Sequence, residues 1–262
     1  MAHPAHPTPA ALFYLLFLCA TSVFPEPASP FHNMVLVPAG EFPMGTDLHN
    51  RDEAPTHPVY LDSFYIDRYE VTVSSYRACL EADACYPRPR IGGKCNWWKP
   101  KRERHPMNCV NWDEASRYCR WAGKRLPTEA EWEKAARGTD GRPFPWGDKR
   151  PRCRYAVMDE KEPGCGSGKT GAVGQLLAGA SPYGALDMAG NASEWVADWY
   201  AEDFYERSPR TNPTGPSSGT QRVFRGGSWR LFGGFLSTTH RFSSPPTLRH
   251  DDVGFRCARS VE

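Results

Sequence analysis

The sequence predicts an α+β domain that is irregular and loop-rich, with low regular secondary structure. Glycine (23) and proline (25) punctuate the 262-residue chain too often for long helices. Short β-forming runs alternate with a few segments of helical periodicity, without the regular alternation of βα units. Nine cysteines, all but Cys19 beyond residue 30, supply staples for loops that a small sheet could not hold alone. Hydrophobic residues make up 40% of the chain, enough to build a core and to exclude a disordered polypeptide. The nine tryptophans offer large flat surfaces to that core. A net charge of +2, with no acidic or basic tail, gives no sign of a nucleic-acid partner.

Residues 1–30 stand apart from the rest. Ala11 to Phe24 is an apolar run too short to span a bilayer comfortably, and the Pro-rich stretch Pro25 to Pro30 follows it. This reads as a signal peptide and leader, followed by one domain over 31–262. No Lys or Arg precedes Arg51, so the basic n-region is missing, and an uncleaved N-terminal anchor or a misassigned start are the alternatives. Cys19 follows Leu18, not a small residue, which argues against a lipoprotein. A cleaved signal implies a secreted or periplasmic chain with no membrane span in its mature form.

The elements follow in order. Met34 to Pro38 and Pro58 to Asp67 are predicted as strands. Thr72 is a suitable N-cap for a helix that places Val73, Tyr76 and Leu80 on one face. Asn111 and Glu114 have capping-box spacing ahead of Ala115, Tyr118, Cys119 and Ala122, with Gly123 as the stop. Thr128 and Glu131 repeat the box, with Ala130, Trp132, Ala135 and Ala136 facing inward and Gly138 ending the helix. Residues 139–184 read as loop. A tryptophan-rich element follows at Ala192 to Tyr200, and Arg222 to Arg225 and Val253 to Ala258 are further strands.

Without Cys19, an even set of cysteines in an exported chain reads as disulfides. The local pairs Cys79/Cys85, Cys95/Cys109 and Cys153/Cys165 would each clip a turn-rich loop, leaving Cys119 and Cys257. Other connectivities of the same residues stay open at this point.

Several segments together resemble the sulfatase-modifying-factor family, whose founding members are formylglycine-generating enzymes. They are Val37–Gly45 (VPAGEFPMG), Tyr65–Thr72 (YIDRYEVT), Val110–Ala115 (VNWDEA), Trp121–Trp132 (WAGKRLPTEAEW), Pro145–Gly147, Asp187–Trp195 (DMAGNASEW), Arg225–Trp229 (RGGSW) and Gly254–Cys257. The resemblance implies a variant of the C-type-lectin-like fold. It also implies a bridge between Cys119 and Cys257.

Family enzymes, as the resemblance implies, oxidise a substrate cysteine with two copper-binding thiols carried after Gly-Gly-Ser. Here no cysteine lies between Ser228 and Gly254, and serine or threonine cannot replace a thiolate on soft copper. Copper and thiol-dependent formylglycine generation are therefore not expected. The resemblance also implies a structural calcium ion held by the side chains of Asp187 and Glu194 and the carbonyls of Gly190 and Ala192. Hard oxygen donors in a turn suit that ion. The competing reading is a hydrogen-bonded turn with Glu194 paired to an arginine. A second family calcium site is lost, since Val157 follows Tyr155-Ala156 where an asparagine is required.

Trp229, Arg230, His240 and Arg241 lie in the segment that bears the family's thiols and form the candidate pocket. Asn191-Ala-Ser193 is a glycosylation sequon. Gly164–Thr170 lacks the first glycine and the preceding strand of a phosphate loop, and Gly226–Arg230 fails the nucleophile-elbow pattern. Arg88 to His105 is basic around Trp97 and Trp98, which reads as a solvated loop or as an anion- or glycan-binding face. The functional expectation is an exported, monomeric binding or accessory module for a protein, peptide or glycan, with its status as an enzyme open. The alternative is an oxygen-dependent oxidase of the same family with a non-thiol metal site.

Overall fold

The computed structural model describes residues 1–2, 33–85 and 92–261. The leader and the apolar run Ala11 to Phe24 therefore lie outside the described residues, as do Arg88 and Arg90. Residues from Asn33 onward form one unit. Among the described residues no helix is long and apolar enough to cross a membrane.

Among the described residues, nine short strands build three small sheets. The first has β4 (Phe64–Asp67) between β1 (Met34–Val37) and β9 (Ala258–Ser260), all antiparallel. The second pairs β2 (Gly40–Met44) with β3 (His57–Leu61). The third runs β7 (Arg241–Ser244), β6 (Arg222–Arg225), β5 (Ser193–Trp199), β8 (Val253–Phe255), with β8 parallel to β5.

Two predicted strands are each split in two, and both splits have a polar cause. The run Pro58 to Asp67 breaks at Asp62-Ser63, where Asn212 donates Nδ2–H to Asp62 and accepts its N–H, while Ser63 Oγ accepts the Ala39 N–H. The halves, β3 and β4, then enter different sheets. The run Val253 to Ala258 breaks at Arg256-Cys257, where the Arg256 side chain turns into the interior and the Cys257 N–H is donated to Asp67 Oδ2 at 2.9 Å. Strand β2 was hidden from the sequence by Pro43, which a central strand would not tolerate but a two-stranded ribbon does, opposite Pro58.

The three helices obey their caps. Thr72 accepts the Ser75 N–H at the start of α1 (Val73–Glu81). Full capping boxes open α2 (Trp112–Trp121) and α3 (Glu129–Arg137). Gly123 and Gly138 follow the last two helices at φ of 69° and 71°, which suits glycine. One core cluster packs Trp132, Ala135 and Ala136 of α3 against Phe42, Val59, Leu61, Phe64 and Val196. A second gathers Tyr76, Tyr118, Trp195 and Phe255 around the helices α1 and α2.

The structure joins Cys79–Cys85, Cys95–Cys109, Cys153–Cys165 and Cys119–Cys257, the pairs that spacing and resemblance singled out. The last ties α2 to the chain between β8 and β9 across 138 residues of sequence. The predicted loop 139–184 holds no strand or α-helix, only a 3-10 turn at Leu177–Gly179, and the irregular chain continues to 192.

Candidate functional site

Strand β6 delivers Arg225 to Gly226-Gly227, both with positive φ (93° and 68°). A Cβ on Gly226 would stand 2.9 Å from the Trp132 ring, so this turn admits only glycine without displacing the core. Ser228 then hydrogen-bonds Asp252 Oδ2 at 3.0 Å. Beyond it the chain makes a 3-10 turn at Gly233–Leu236 and passes through Leu236, Ser237, Thr238 and Thr239, all buried, into β7. Side chains fill the interior of this segment, and all eight cysteines among the described residues are oxidised in pairs.

The four candidate pocket residues meet different partners. Trp229 is buried, with its N–H donated to Asn191 O at 2.9 Å. Arg230 lies over its indole at 4.7 Å and pairs with Asp251 at 2.7 Å. His240 instead stands edge-on to Phe235, with Nδ1 3.3 Å from Glu53 Oε1. Burial alone would raise the Glu53 carboxyl, but His240, Thr239 and Asn50 outweigh it and hold the group at about 2. Arg241 belongs to the core.

That core contains an ion-pair network with no counterpart in the sequence reading. Arg241 grips Glu129 with Nε and Nη2, at 2.7 and 2.9 Å. Arg225 bridges Glu129 and Glu133 at 2.7 and 2.6 Å, and Arg137 reaches Glu133 at 2.9 Å. All the residues of α3 are buried, so its glutamates serve these arginines as well as the helix dipole. Burial dominates the cost at Glu129, yet the two guanidinium charges and their hydrogen bonds hold its carboxyl below the ordinary range.

The predicted calcium turn has an acidic interior. Asp187 and Asn191 adopt left-handed backbone (φ 57° and 60°) either side of Gly190 at 81°. Asp187 Oδ2 accepts the Gly174 N–H at 2.6 Å. Glu194 is spent on both oxygens: Arg256 donates Nε–H and Nη2–H at 2.7 Å each, and Trp132 Nε1–H at 2.8 Å. Glu70, which lies in the resemblance segment Tyr65–Thr72 but was not read there as a site residue, completes the group. Its Oε1 accepts the Ala192 N–H at 3.3 Å, and its buried Oε2 has no hydrogen-bond partner. Burial and then the Asp187 and Glu194 charges push the Glu70 carboxyl well above its ordinary value. Three carboxylates thus face one guanidinium, and the orphaned oxygen belongs to Glu70. Among the described residues no three acidic, His or Cys side chains are grouped to hold a metal ion by themselves; Glu70 and Asp187, not the engaged Glu194, are the acids left to offer oxygen to a hard cation. Asn191 is fully buried, its Oδ1 taken by the Gly171 N–H, so the sequon offers no amide to a glycosyl carrier.

In the basic stretch, Lys99 caps Gly93 O at 2.7 Å and Arg102 meets His105 at 3.0 Å. Burial first, then the Arg102 and Lys169 charges, depress His105 to about 4. The Trp98 ring is half exposed. A separate cavity of about 560 Å³ lies between Leu61, Phe64, Trp112 and Leu126, with the Arg125–Glu131 pair in its lining.

Small curled sheets, three short helices, long stapled loops and an arginine-bound core define a variant C-type-lectin-like domain. The chain belongs to the sulfatase-modifying factor enzyme 1-like family, whose pattern matches residues 20–261. It is 31% identical over 298 residues to the formylglycine-generating enzyme of Streptomyces coelicolor, covering 93% of this chain and 95% of that one. It is 37% identical over 255 residues to the serine/threonine-protein kinase pkn1 of Chlamydia caviae, covering 90% of this chain but 39% of the relative. The chain thus spans about two fifths of the length of that relative. The solved structure of PvdO from Pseudomonas aeruginosa superposes with a TM-score of 0.75 at 30% identity, over 87% of this chain and 94% of that one.

Proposed function

We propose that this chain is an exported member of its family that works by binding a protein, peptide or glycan, without thiol-based oxidation. One observation carries the reading. The segment after Gly227, where the family resemblance puts the copper thiolates, holds no cysteine and is packed with Leu236, Ser237, Thr238 and Thr239. Every cysteine among the described residues is tied in a disulfide. A thiol consumed in a structural bridge offers no thiolate to bind copper or to attack a disulfide. Four disulfides also suit an oxidising compartment, which supports export.

The same reading includes a structural calcium ion, held by Glu70 and Asp187 with the carbonyls of Gly190 and Ala192. Its positive charge would offset the carboxylates that Arg256 alone does not balance, in a loop region with no sheet of its own.

Metal content and turnover test the functional reading together. Protein purified from an exporting host is expected to carry no stoichiometric copper and to leave a cysteine-bearing peptide unchanged in oxygenated buffer. Stoichiometric copper or iron with oxygen-dependent turnover would overturn it in favour of an oxidase with a non-thiol centre.

A further inference from the structure

The segment 149–154 reads Lys-Arg-Pro-Arg-Cys-Arg, four cations in six residues. The fold gathers them. Lys149, Arg150, Arg152 and Arg154, all exposed, line one open cavity of about 530 Å³ together with Tyr155 and Glu160. Among the described residues Glu160 is the only acid in that lining, and it is already committed, to Arg152 Nη1 and to the Cys153 N–H, at 2.7 Å each. Lys149 and Arg150 have no carboxylate partner among the described residues. The cavity therefore keeps an excess of positive charge that the protein does not neutralise.

The wall is stiff. Phe144, Trp146 and Tyr155 stack in a column, with centroids 5.4 and 5.0 Å apart and planes within 5° and 9° of parallel. Arg154 closes the column, lying over Tyr155 at 4.5 Å. The Cys153–Cys165 disulfide clips the loop. Backbone bonds then dock that loop on the segment of the candidate pocket: the Asp159 N–H goes to Leu231 O at 2.9 Å and the Gly164 N–H to Trp229 O at 2.6 Å. The backbone that carries the four cations is thus held in place, with the side chains of Arg152 and Arg154 anchored on Glu160 and Tyr155 and those of Lys149 and Arg150 left to anions.

We propose that this cavity binds the sulfate or carboxylate groups of an acidic polysaccharide. The proposal rests on the binding-module reading above and names its ligand class. Three features select that class. Each cation is exposed, so the site suits a chain of repeated anions gripped at several points, not one enclosed phosphate. The Tyr155 ring is covered by Arg154 on one side and stacked on Trp146, which leaves the cavity no free ring for stacking a nucleic-acid base. Four disulfides suit an oxidising compartment, which favours a polyanion outside the cytosol over a nucleic acid.

The test is retention of the full chain on immobilised heparin, with dextran sulfate, neutral dextran, single-stranded DNA and polyglutamate as soluble competitors. The wild type is expected to elute above physiological salt and to be displaced by dextran sulfate but not by neutral dextran or DNA. The variant Lys149→Glu/Arg150→Glu spares the disulfide and the Arg152–Glu160 pair, so its unfolding temperature should match the wild type. Its affinity should fall at least about tenfold, as expected when a focused positive field is reversed. Unchanged retention of that variant would overturn the site. Equal displacement by DNA or polyglutamate would overturn the ligand class. A wild type that ignores heparin yet binds a neutral glycan or a protein would sink this proposal while leaving the binding-module reading intact, whereas turnover with a redox metal would remove that reading itself.

Discussion

Glu194 and Arg256 form a two-pronged pair inside the protein, Nε to Oε2 and Nη2 to Oε1 at 2.7 Å each, with no exposed surface on the guanidinium. Two further Arg256 N–H groups go to the carbonyls of Asp67 and Leu186. The pair thus pins β5, β8 and the Asp187 turn to one point. Replacing Arg256 by Ala strands a buried carboxylate and should cost about 3–5 kcal/mol of unfolding free energy. The apolar double variant Arg256→Met/Glu194→Leu should cost less than the single change. Urea unfolding with disulfides intact measures both, and a single-variant loss under about 1 kcal/mol would contradict the geometry.

The acid limb of stability should carry the signature of Glu53. Its folded carboxyl sits at about 2, below the ordinary 4.5. A depressed acid stabilises the fold above its unfolded value, and that contribution is lost as pH falls from about 4.5 through about 2. The difference corresponds to about 3 kcal/mol at neutral pH. Glu53→Gln should lower stability by roughly that amount at pH 7, and its deficit against the wild type should shrink as pH drops through this window. A deficit that is independent of pH would rule the assignment out.

Calcium should stabilise the chelator-treated protein. At a hundredfold excess over its dissociation constant the ion adds about 2.7 kcal/mol, which for a domain of this size is a rise of about 5–10 °C in Tm. Glu70→Gln and Asp187→Asn should each abolish most of that rise. Differential scanning calorimetry with and without the ion decides it; a wild type indifferent to calcium would end the proposal.

The two kinds of disulfide should differ in worth. Cys119–Cys257 spans 138 residues and Cys153–Cys165 spans 12. In the chain-entropy account, double replacement with alanine should cost about 4–5 kcal/mol for the first and about 3 kcal/mol for the second. Equilibrium unfolding of the two variants gives the order, and the reverse order would mean that native packing, not loop closure, dominates.

Much of the scaffold was legible because its signals are local. Thr72, Asn111 and Thr128 announce their helices within four residues, and the caps form as spacing requires. What stayed hidden depends on residues far away in sequence. The break at Asp62 needs Asn212, 150 positions on. The role of Glu129 needs Arg225 and Arg241, and a glutamate in the first turn of a helix reads equally well as a dipole partner. Glu70 sits inside the resemblance segment Tyr65–Thr72, where nothing local marks it as a ligand, and only its burial beside Asp187 and Glu194 shows what it can hold. The segment 149–154 reads only as part of a loop, and its cations gain meaning when one cavity collects them.

Because α3, β6 and β7 are fastened to one another by guanidinium–carboxylate clasps, the framework does not depend on the long excursions between them for its shape. Exposed stretches of the intervening loops, such as 148–150 and 161–163, touch none of the clasps, whereas Gly141, Leu186 and Asp187 must keep their contacts with Arg137, Arg256 and Gly174. Such a division of labour leaves the outer contour of the molecule free to diversify toward new targets while the interior stays constant.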